Sequence, residues 1–330
     1  MAEQLSAEPE FVATVAVLTF NGEKYLRRIL EALRLQEDVE SFEVLVIDSG
    51  SSDSTLDIVR DFPEVRLHEI PNEEFGHGRT RNLAARLARG RFIAYLTHDA
   101  VPATNRWLAE LLAPFDIDER VVAVVGKQDP RPGCFPLMKY DIMAVFAQFG
   151  PDFGTSLFHL GNPPLPPSMR DAITFYSDVN SAARRDFLRD VIPYRDVQYA
   201  EDQMFGQDLI DAGYWKAYAA RGAVEHSNDV TFREFGMRIF DETVGLRRIG
   251  TPIPELSRLG VLRLSLRGSV GDALRILRDR SWGRKRKLFW LVVNPAYHVR
   301  KWSSYRAASL IDIHDSDAVA AQSLENLRKR

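Results

Sequence analysis

The chain has 330 residues, 45% of them hydrophobic, with a mean hydropathy of -0.22; it can bury a sizeable core and is long for one compact domain. Its 43 basic and 46 acidic residues leave a net charge of -3, which excludes the global basic bias of a nucleic-acid binder. Cys134 is the single cysteine, which excludes an intrachain disulfide and a multi-cysteine metal site and fits a reducing cytoplasm.

The N-terminal MAEQLSAEPE is polar and acidic, unlike a secretory leader. No window approaches the roughly 18 uninterrupted apolar residues of a membrane span. The expectation is a cytoplasmic protein, peripheral to a membrane at most.

Phe11 to Phe20 reads as a buried strand broken by Asn21-Gly22, and Glu23 to Leu35 as a helix with Leu26, Ile29, Leu30 and Leu33 on one face. Phe42 to Ile47 is a second strand, running into the turn formers Asp48-Ser-Gly-Ser-Ser-Asp53. Ser54 is placed to cap the next helix, in which Leu56, Val59 and Phe62 share a face. Val65 to Ile70 is a third strand, Thr80 to Arg89 a helix, and Phe92 to Leu96 a fourth strand that delivers Asp99 before Pro102. Strands alternating with helices predict an α/β fold with a mainly parallel central sheet flanked by helices. Ligands of such sheets bind at the carboxyl ends of the strands, where Thr19, Asp48 and Asp99 fall.

Glu74-Phe-Gly-His-Gly-Arg-Thr-Arg-Asn82 loads glycines and arginines onto a helix start. The pattern suits an anion such as phosphate, or is simply a turn with solvated arginines. It is neither a P-loop nor a dinucleotide fingerprint, and after the first strand the chain has Thr19-Phe-Asn-Gly22, which argues against a P-loop phosphotransferase or a dehydrogenase. Val121 to Gly126 reads as a strand, Asp129 to Pro136 as a loop, and residues 150 to 170 as a proline-rich irregular stretch of the kind used as lids or acceptor segments. Thr174 to Ala183, with Asn180 and Ser181, reads as strand. The helix ending at Gly213 opens on Glu201 and Asp202, which either compensate its dipole or face a ligand. Trp215 to Ala219 is a further strand, followed by His226, which as a lone histidine is either structural or a ligand.

Val17-Leu-Thr-Phe-Asn-Gly22, Val46-Ile-Asp-Ser-Gly-Ser-Ser-Asp-Ser-Thr55, Thr80-Arg-Asn82, Leu96-Thr-His-Asp-Ala100 and Glu201-Asp202 together resemble a family 2 glycosyltransferase of GT-A fold, over roughly residues 12 to 230. Phe75 to Asn82 and Thr97 to Ala100 resemble bacterial rhamnosyltransferases that use dTDP-L-rhamnose. The resemblance implies an inverting enzyme that moves a sugar from a dTDP-sugar donor to a saccharide or lipid-linked acceptor in cell-surface polysaccharide synthesis. It implies Asp202 as catalytic base, and Thr19, Asp48, Asp53, Arg81 and His98 as nucleotide-binding. Asp99 and His226 would hold a divalent cation, Mg or Mn. Thr97 stands where the family's Asp-x-Asp motif has its first acid, so Asp99 alone remains of the pair. Glu201, Arg184, Arg185 and Arg233 are the implied contacts to acceptor or diphosphate. The altered motif leaves open a non-catalytic nucleotide-sugar-binding or scaffolding protein on the same fold, against which the intact Glu201-Asp202 argues. A processive synthase is disfavoured, since there is no Gln-x-x-Arg-Trp motif.

The boundaries expected are a GT-A domain over 1–255 and a basic, mostly helical extension over 256–330. Residues 263–306 hold twelve Lys/Arg and two acids, Asp272 and Asp279, a local difference of +10. Basic residues beside the aromatics of Leu288-Phe-Trp-Leu-Val-Val293 suit an anionic membrane surface, or a helix packed on its own domain or on a second copy in a homo-oligomer. No nucleic-acid recognition motif accompanies the charge. From Asp312 the chain turns polar and is expected to fray.

Overall fold

The computed structural model describes residues 9–161, 167–197, 200–248 and 250–328. The chain divides into two compact units, the first formed by the chain up to Asp129 together with Met143–His226, the second by Pro130–Ile142 and Ser227–Arg330.

Among the described residues of the first unit, nine strands form one sheet: β1 (Phe11–Thr19), β2 (Phe42–Asp48), β3 (Arg66–Glu69), β4 (Gly90–Thr97), β5 (Val101–Pro102), β6 (Val121–Asp129), β7 (Thr155–Phe158), β8 (Asn180–Arg184) and β9 (Trp215–Glu225). Their order is β3-β2-β1-β4-β8-β6-β9-β5, with β7 also on β9. The first four pair in parallel. β8 enters antiparallel between β4 and β6, and β6 and β9 are again parallel. The buried runs of β1, β2 and β4 are continuous rather than alternating, as expected for strands covered on both faces. The helix Glu23–Arg34 buries Leu26, Ile29, Leu30 and Leu33 in the core they share with Val15, Val17 and Trp107; each such side chain contributes about 1.5–3 kcal/mol.

In parallel register Thr19 lies beside Asp48, and Leu18 beside Thr97. The three strand ends named from the sequence therefore align on one edge. Several boundaries move. The helix expected from Thr80 already starts at His77, and β9 runs on to Glu225, which brings His226 to a strand end. Thr174–Ala183 is not one strand: a helix ends at Thr174 and β8 begins only at Asn180. Asn180 is there for packing, since its amide donates to Gly222 O and Lys127 O and accepts from Trp107 Nε1. The proline-rich stretch contains β7, while its residues 162–166 lie outside those described. Ser54 occupies the cap position without a side-chain bond, and the N–H of Thr55 is taken by Asp53 Oδ1.

In the second unit the helix Phe232–Arg248 buries Phe235 beside Phe135, and Phe240 and Val244 beside Ala308 and Val319. That packing is why the unit begins at Ser227 and takes in 130–142, rather than starting near 255. The helices Arg258–Arg278 and Arg284–Leu310 follow. The polar end packs as well: Ser316–Ala320 and Leu324–Arg328 are helical, Val319 and Leu324 are buried, and Asp241 accepts from Leu324 N at 2.8 Å. Among the described residues no helix is long and apolar enough to cross a membrane.

Candidate active site

The loops after β1 and β2 are joined bond by bond. Asn21, Gly22 and Glu23 donate successive N–H groups to Ser51 Oγ, Thr55 Oγ1 and Asp53 Oδ2 at 2.8, 2.8 and 3.2 Å. In return Ser52 N donates to Asn21 Oδ1 and Ser54 N to Glu23 Oε2. Asn21 adopts φ 49 to make this turn, a conformation asparagine tolerates better than most residues. Asp53 is therefore a loop fastener. Burial opposes its ionisation, but bonds from the Thr55 hydroxyl and from backbone N–H groups outweigh it and hold the carboxyl below its ordinary range.

Asp48 is fully buried. Its Oδ1 accepts from Gly50 N and Ser51 N, and its Oδ2 from the Ser51 hydroxyl at 2.5 Å. A carboxylate has about four lone-pair positions, so one on Oδ2 is left for an incoming N–H. Thr19 is buried, and no described protein group bonds its Oγ1. A Cβ added at Gly22 would stand 2.7 Å from that hydroxyl and 3.1 Å from His98 Cβ; glycine lets Thr19 and His98 converge here.

Asp99 sits in the turn that follows β4. Its Oδ1 accepts from the Thr97 hydroxyl at 2.7 Å, and its Oδ2 lies 3.4 Å from His226 Nε2. Burial disfavours the charge on Asp99, yet the facing His226 and the Thr97 hydroxyl hold the carboxyl well below its ordinary range. The far side of the imidazole, Nδ1, is 3.0 Å from Gln128 Oε1, and Gln128 Nε2 donates to Ser177 Oγ at 3.1 Å. That pairing makes Nδ1 the donor and turns Nε2 toward Asp99, the arrangement by which outer partners orient a metal-binding imidazole. One carboxylate oxygen and one imidazole nitrogen fit a hard cation that draws its other ligands from diphosphate and water. Among the described residues no group of three His, Cys, Asp or Glu assembles as a complete protein cage.

Asp202 opens the helix Glu201–Asp211. It is partly exposed, accepting from Gln203 N at 2.8 Å and from Asp178 N at 3.4 Å. Burial, followed by the neighbouring Glu201 and Asp178 carboxylates, pushes its carboxyl up to about 8. Asp178, 1% exposed, was not singled out from the sequence because it falls where a continuous strand was expected. It accepts from Ser181 Oγ and Tyr194 Oη at 2.6 and 2.7 Å. Burial raises its carboxyl, with Arg81 acting in the opposite direction.

Arg81 is buried between these acids, with Nη1 on Glu201 and Nε 2.9 Å from Asp178 Oδ2. The second contact is close but not aligned as a hydrogen bond, so it acts as a charge pair. Desolvation weakens the charge on Arg81, but Asp178 and Glu201 more than restore it and raise its pKa. Arg81 is thus committed to carboxylates rather than lining the nucleotide pocket as expected. The glycine-rich motif has a packing reason too: a Cβ at Gly78 would be 2.1 Å from Arg195 O. Asn82 brackets Tyr194 with two backbone bonds, at 2.8 and 3.0 Å.

Two further expectations are corrected. Arg184 pairs in register with Phe92, at the amino end of β4, and donates to Val121 O and Phe115 O. Arg185 donates to Ala88 O, before β4 begins. Both therefore lie at the opposite end of the sheet from Asp99 and hold backbone, not ligand. Arg233 is an exposed residue of the second unit whose carbonyl accepts from Arg300.

Residues 14–192 match the family described as Glycosyl transferase family 2. The O-antigen chain rhamnosyltransferase RfbN of Salmonella typhimurium is 30% identical over 239 residues, 70% of this chain and 71% of that protein. The O-antigen chain rhamnosyltransferase WbaN of Salmonella anatum is 31% identical over 241 residues, with the same shares. A mannosyltransferase of Pyrobaculum calidifontis, solved with GDP-Man and Mn2+, superposes with a TM-score of 0.55 at 16% identity, covering 98% of this chain and 89% of its own. Residues 1–349 of Staphylococcus aureus TarS give 0.52 at 18%, over 96% and 84%. The fold is that of the GT-A glycosyltransferases. The chain belongs to glycosyl transferase family 2 and is similar to the O-antigen rhamnosyltransferases.

Proposed function

We propose that this enzyme transfers L-rhamnose from dTDP-L-rhamnose to a hydroxyl of a saccharide or lipid-linked acceptor in cell-surface polysaccharide synthesis, with inversion at C1. The observation that carries the reading is a chain of contacts from Asp99 through His226 and Gln128 to the Ser177 hydroxyl, with the next residue along the backbone, Asp178, donating its N–H to Asp202 at 3.4 Å. It ties the residue suited to a diphosphate-bound cation to the residue suited to a proton. The names of the relatives at 30% and 31% identity favour rhamnose as the sugar and O-antigen-type polysaccharide as the product.

In this mechanism Thr19, Asp48 and His98 meet the nucleotide at the strand ends. Asp202 takes the proton of the acceptor hydroxyl as that oxygen attacks C1 from the face opposite the departing diphosphate; a single displacement assisted by one base inverts the centre. A carboxyl raised to about 8 is a strong enough base to hold that proton near neutral pH. Asp99 and His226 would hold Mg or Mn, which when bound neutralises charge on the leaving diphosphate. The Mn2+ of the Pyrobaculum neighbour supports a cation of that class.

Two tests follow from the site. In a thermal-shift panel, dTDP-rhamnose should raise the melting temperature more than UDP- or GDP-sugars; a hundredfold excess over Kd corresponds to about 2.7 kcal/mol. A preference for UDP or GDP overturns the donor. Asp99→Asn leaves His226 without its carboxylate partner and should raise the Mn2+ concentration needed for half-maximal turnover by about 10–100-fold, read by titrating Mn2+ after chelation. An unchanged Mn2+ midpoint removes Asp99 as a ligand.

A further inference from the structure

The helix Arg258–Arg278 carries Leu259, Leu262, Leu266, Val270, Leu274 and Leu277 at spacings of three and four, and all are at least half exposed, Leu259 at 75% and Leu266 at 65%. That spacing places them in one stripe. The buried side of the same helix, with Ser265, Asp272 and Ile276, is the one that meets the helix Arg284–Leu310. There, Leu288, Val292 and Val299 form a second outward row, exposed by 66%, 73% and 49%.

The charges are sorted in the same way. Arg263, Arg267, Arg278, Arg284 and Lys285 are exposed. The two acids of the stretch are turned to internal partners: Asp272 accepts from His298 Nε2 at 2.8 Å and Asn294 Nδ2 at 3.0 Å, and Asp279 accepts from Lys139 Nζ at 2.5 Å. The surface therefore displays these five cations while both acids are used inside.

We propose that the helices Arg258–Arg278 and Arg284–Leu310 dock on an anionic lipid surface, their apolar rows entering the acyl boundary and their arginines meeting headgroup phosphate. Charge complementarity selects lipid over a second copy, since a self-paired interface would set the exposed Arg263, Arg267, Arg278, Arg284 and Lys285 against their own copies. Apolar rows flanked by arginine and lysine have the form of an interfacial rather than a spanning helix. Lipid docking by these helices does not depend on which donor the enzyme uses or which residue acts as base.

Co-sedimentation of the full chain with vesicles tests it. Binding is expected to vesicles of phosphatidylcholine with phosphatidylglycerol, weaker with phosphatidylcholine alone, and reversed by salt. Leu262→Glu/Leu266→Glu and Arg263→Glu/Arg267→Glu should each reduce anionic-vesicle affinity by more than about tenfold with the circular-dichroism melt unchanged, because these side chains are exposed. If the glutamate pair disturbs folding, Leu262→Ser/Leu266→Ser is used and should show the same order. Wild-type affinity in a folded apolar variant overturns the proposal, as does equal binding to neutral and anionic vesicles. So does a dimer that Leu262→Glu/Leu266→Glu makes monomeric while the wild type binds no vesicle.

Discussion

Asp202→Asn should lower turnover by about 10²–10⁴-fold and leave donor binding unchanged. Asparagine keeps the shape of the side chain and one oxygen, which serves the Gln203 N–H at 2.8 Å, while the long 3.4 Å contact from Asp178 N to the other carboxylate oxygen is given up, so the helix start stays in place. What it loses is the proton acceptor. Turnover at saturating donor beside a calorimetric donor titration separates the two effects, and retained turnover rejects Asp202 as base. Under the proposed mechanism the active form is the ionised carboxylate, so kcat/KM should rise with pH toward and through about 8. The same shift acts on stability. A carboxyl raised in the folded state binds more protons there than in the unfolded chain, so its contribution is present at low pH and is lost as pH rises through about 8. Asp202→Asn should remove that decline, which melting curves across pH will register.

Arg81→Ala should destabilise the first unit by about 3–5 kcal/mol, the largest stability effect expected of a single substitution here. Arg81 is the cation buried against Asp178 and Glu201, and its loss leaves two acids close together without a counter-charge. The sign of the pH dependence follows. Asp178 is already raised by burial, with Arg81 pulling it back; without Arg81 it rises further. Protonation then relieves the variant at low pH, so the deficit should be greater at pH 8 than at pH 5 in chemical denaturation. A loss below about 1 kcal/mol, typical of an exposed pair, would remove Arg81 from its place as the keystone of the cluster.

These two residues also mark where reading the sequence works and where it stops. Strand ends were legible because the apolar runs of β1, β2 and β4 stop at polar residues, and in-register parallel pairing then puts Thr19, Asp48 and Thr97 on one edge. Asp202 was legible as an acid at the first turn of an amphipathic helix. Partnership was not. Arg81 and Arg184 are alike as letters, yet one reaches Glu201, 120 positions away, while the other is carried by an antiparallel strand to the opposite sheet end. Direction of β8 decided that, and the local pattern of Asn180–Arg184 contains no sign of direction. Asp178 stayed hidden for a related reason: its role comes from Ser181, Tyr194 and Arg81 closing around it, and only its own polarity next to apolar Val179 hinted at it. The tail misled through composition, because short helices with few apolar residues can still be anchored by Val319 and Leu324.

The reciprocal bonds between Asn21–Glu23 and Ser51–Thr55 bear on how a donor is received. Two loops separated by some thirty residues share enough bonds to move as one body, so their ordering is completed when the protein folds. Donor binding of the kind proposed then loses little further conformational entropy at these loops. On the proposed reading association should be near rigid-body in kind, and a change of nucleotide preference would come through Thr19 and His98, which converge beside Gly22, rather than through a rearrangement of the frame itself.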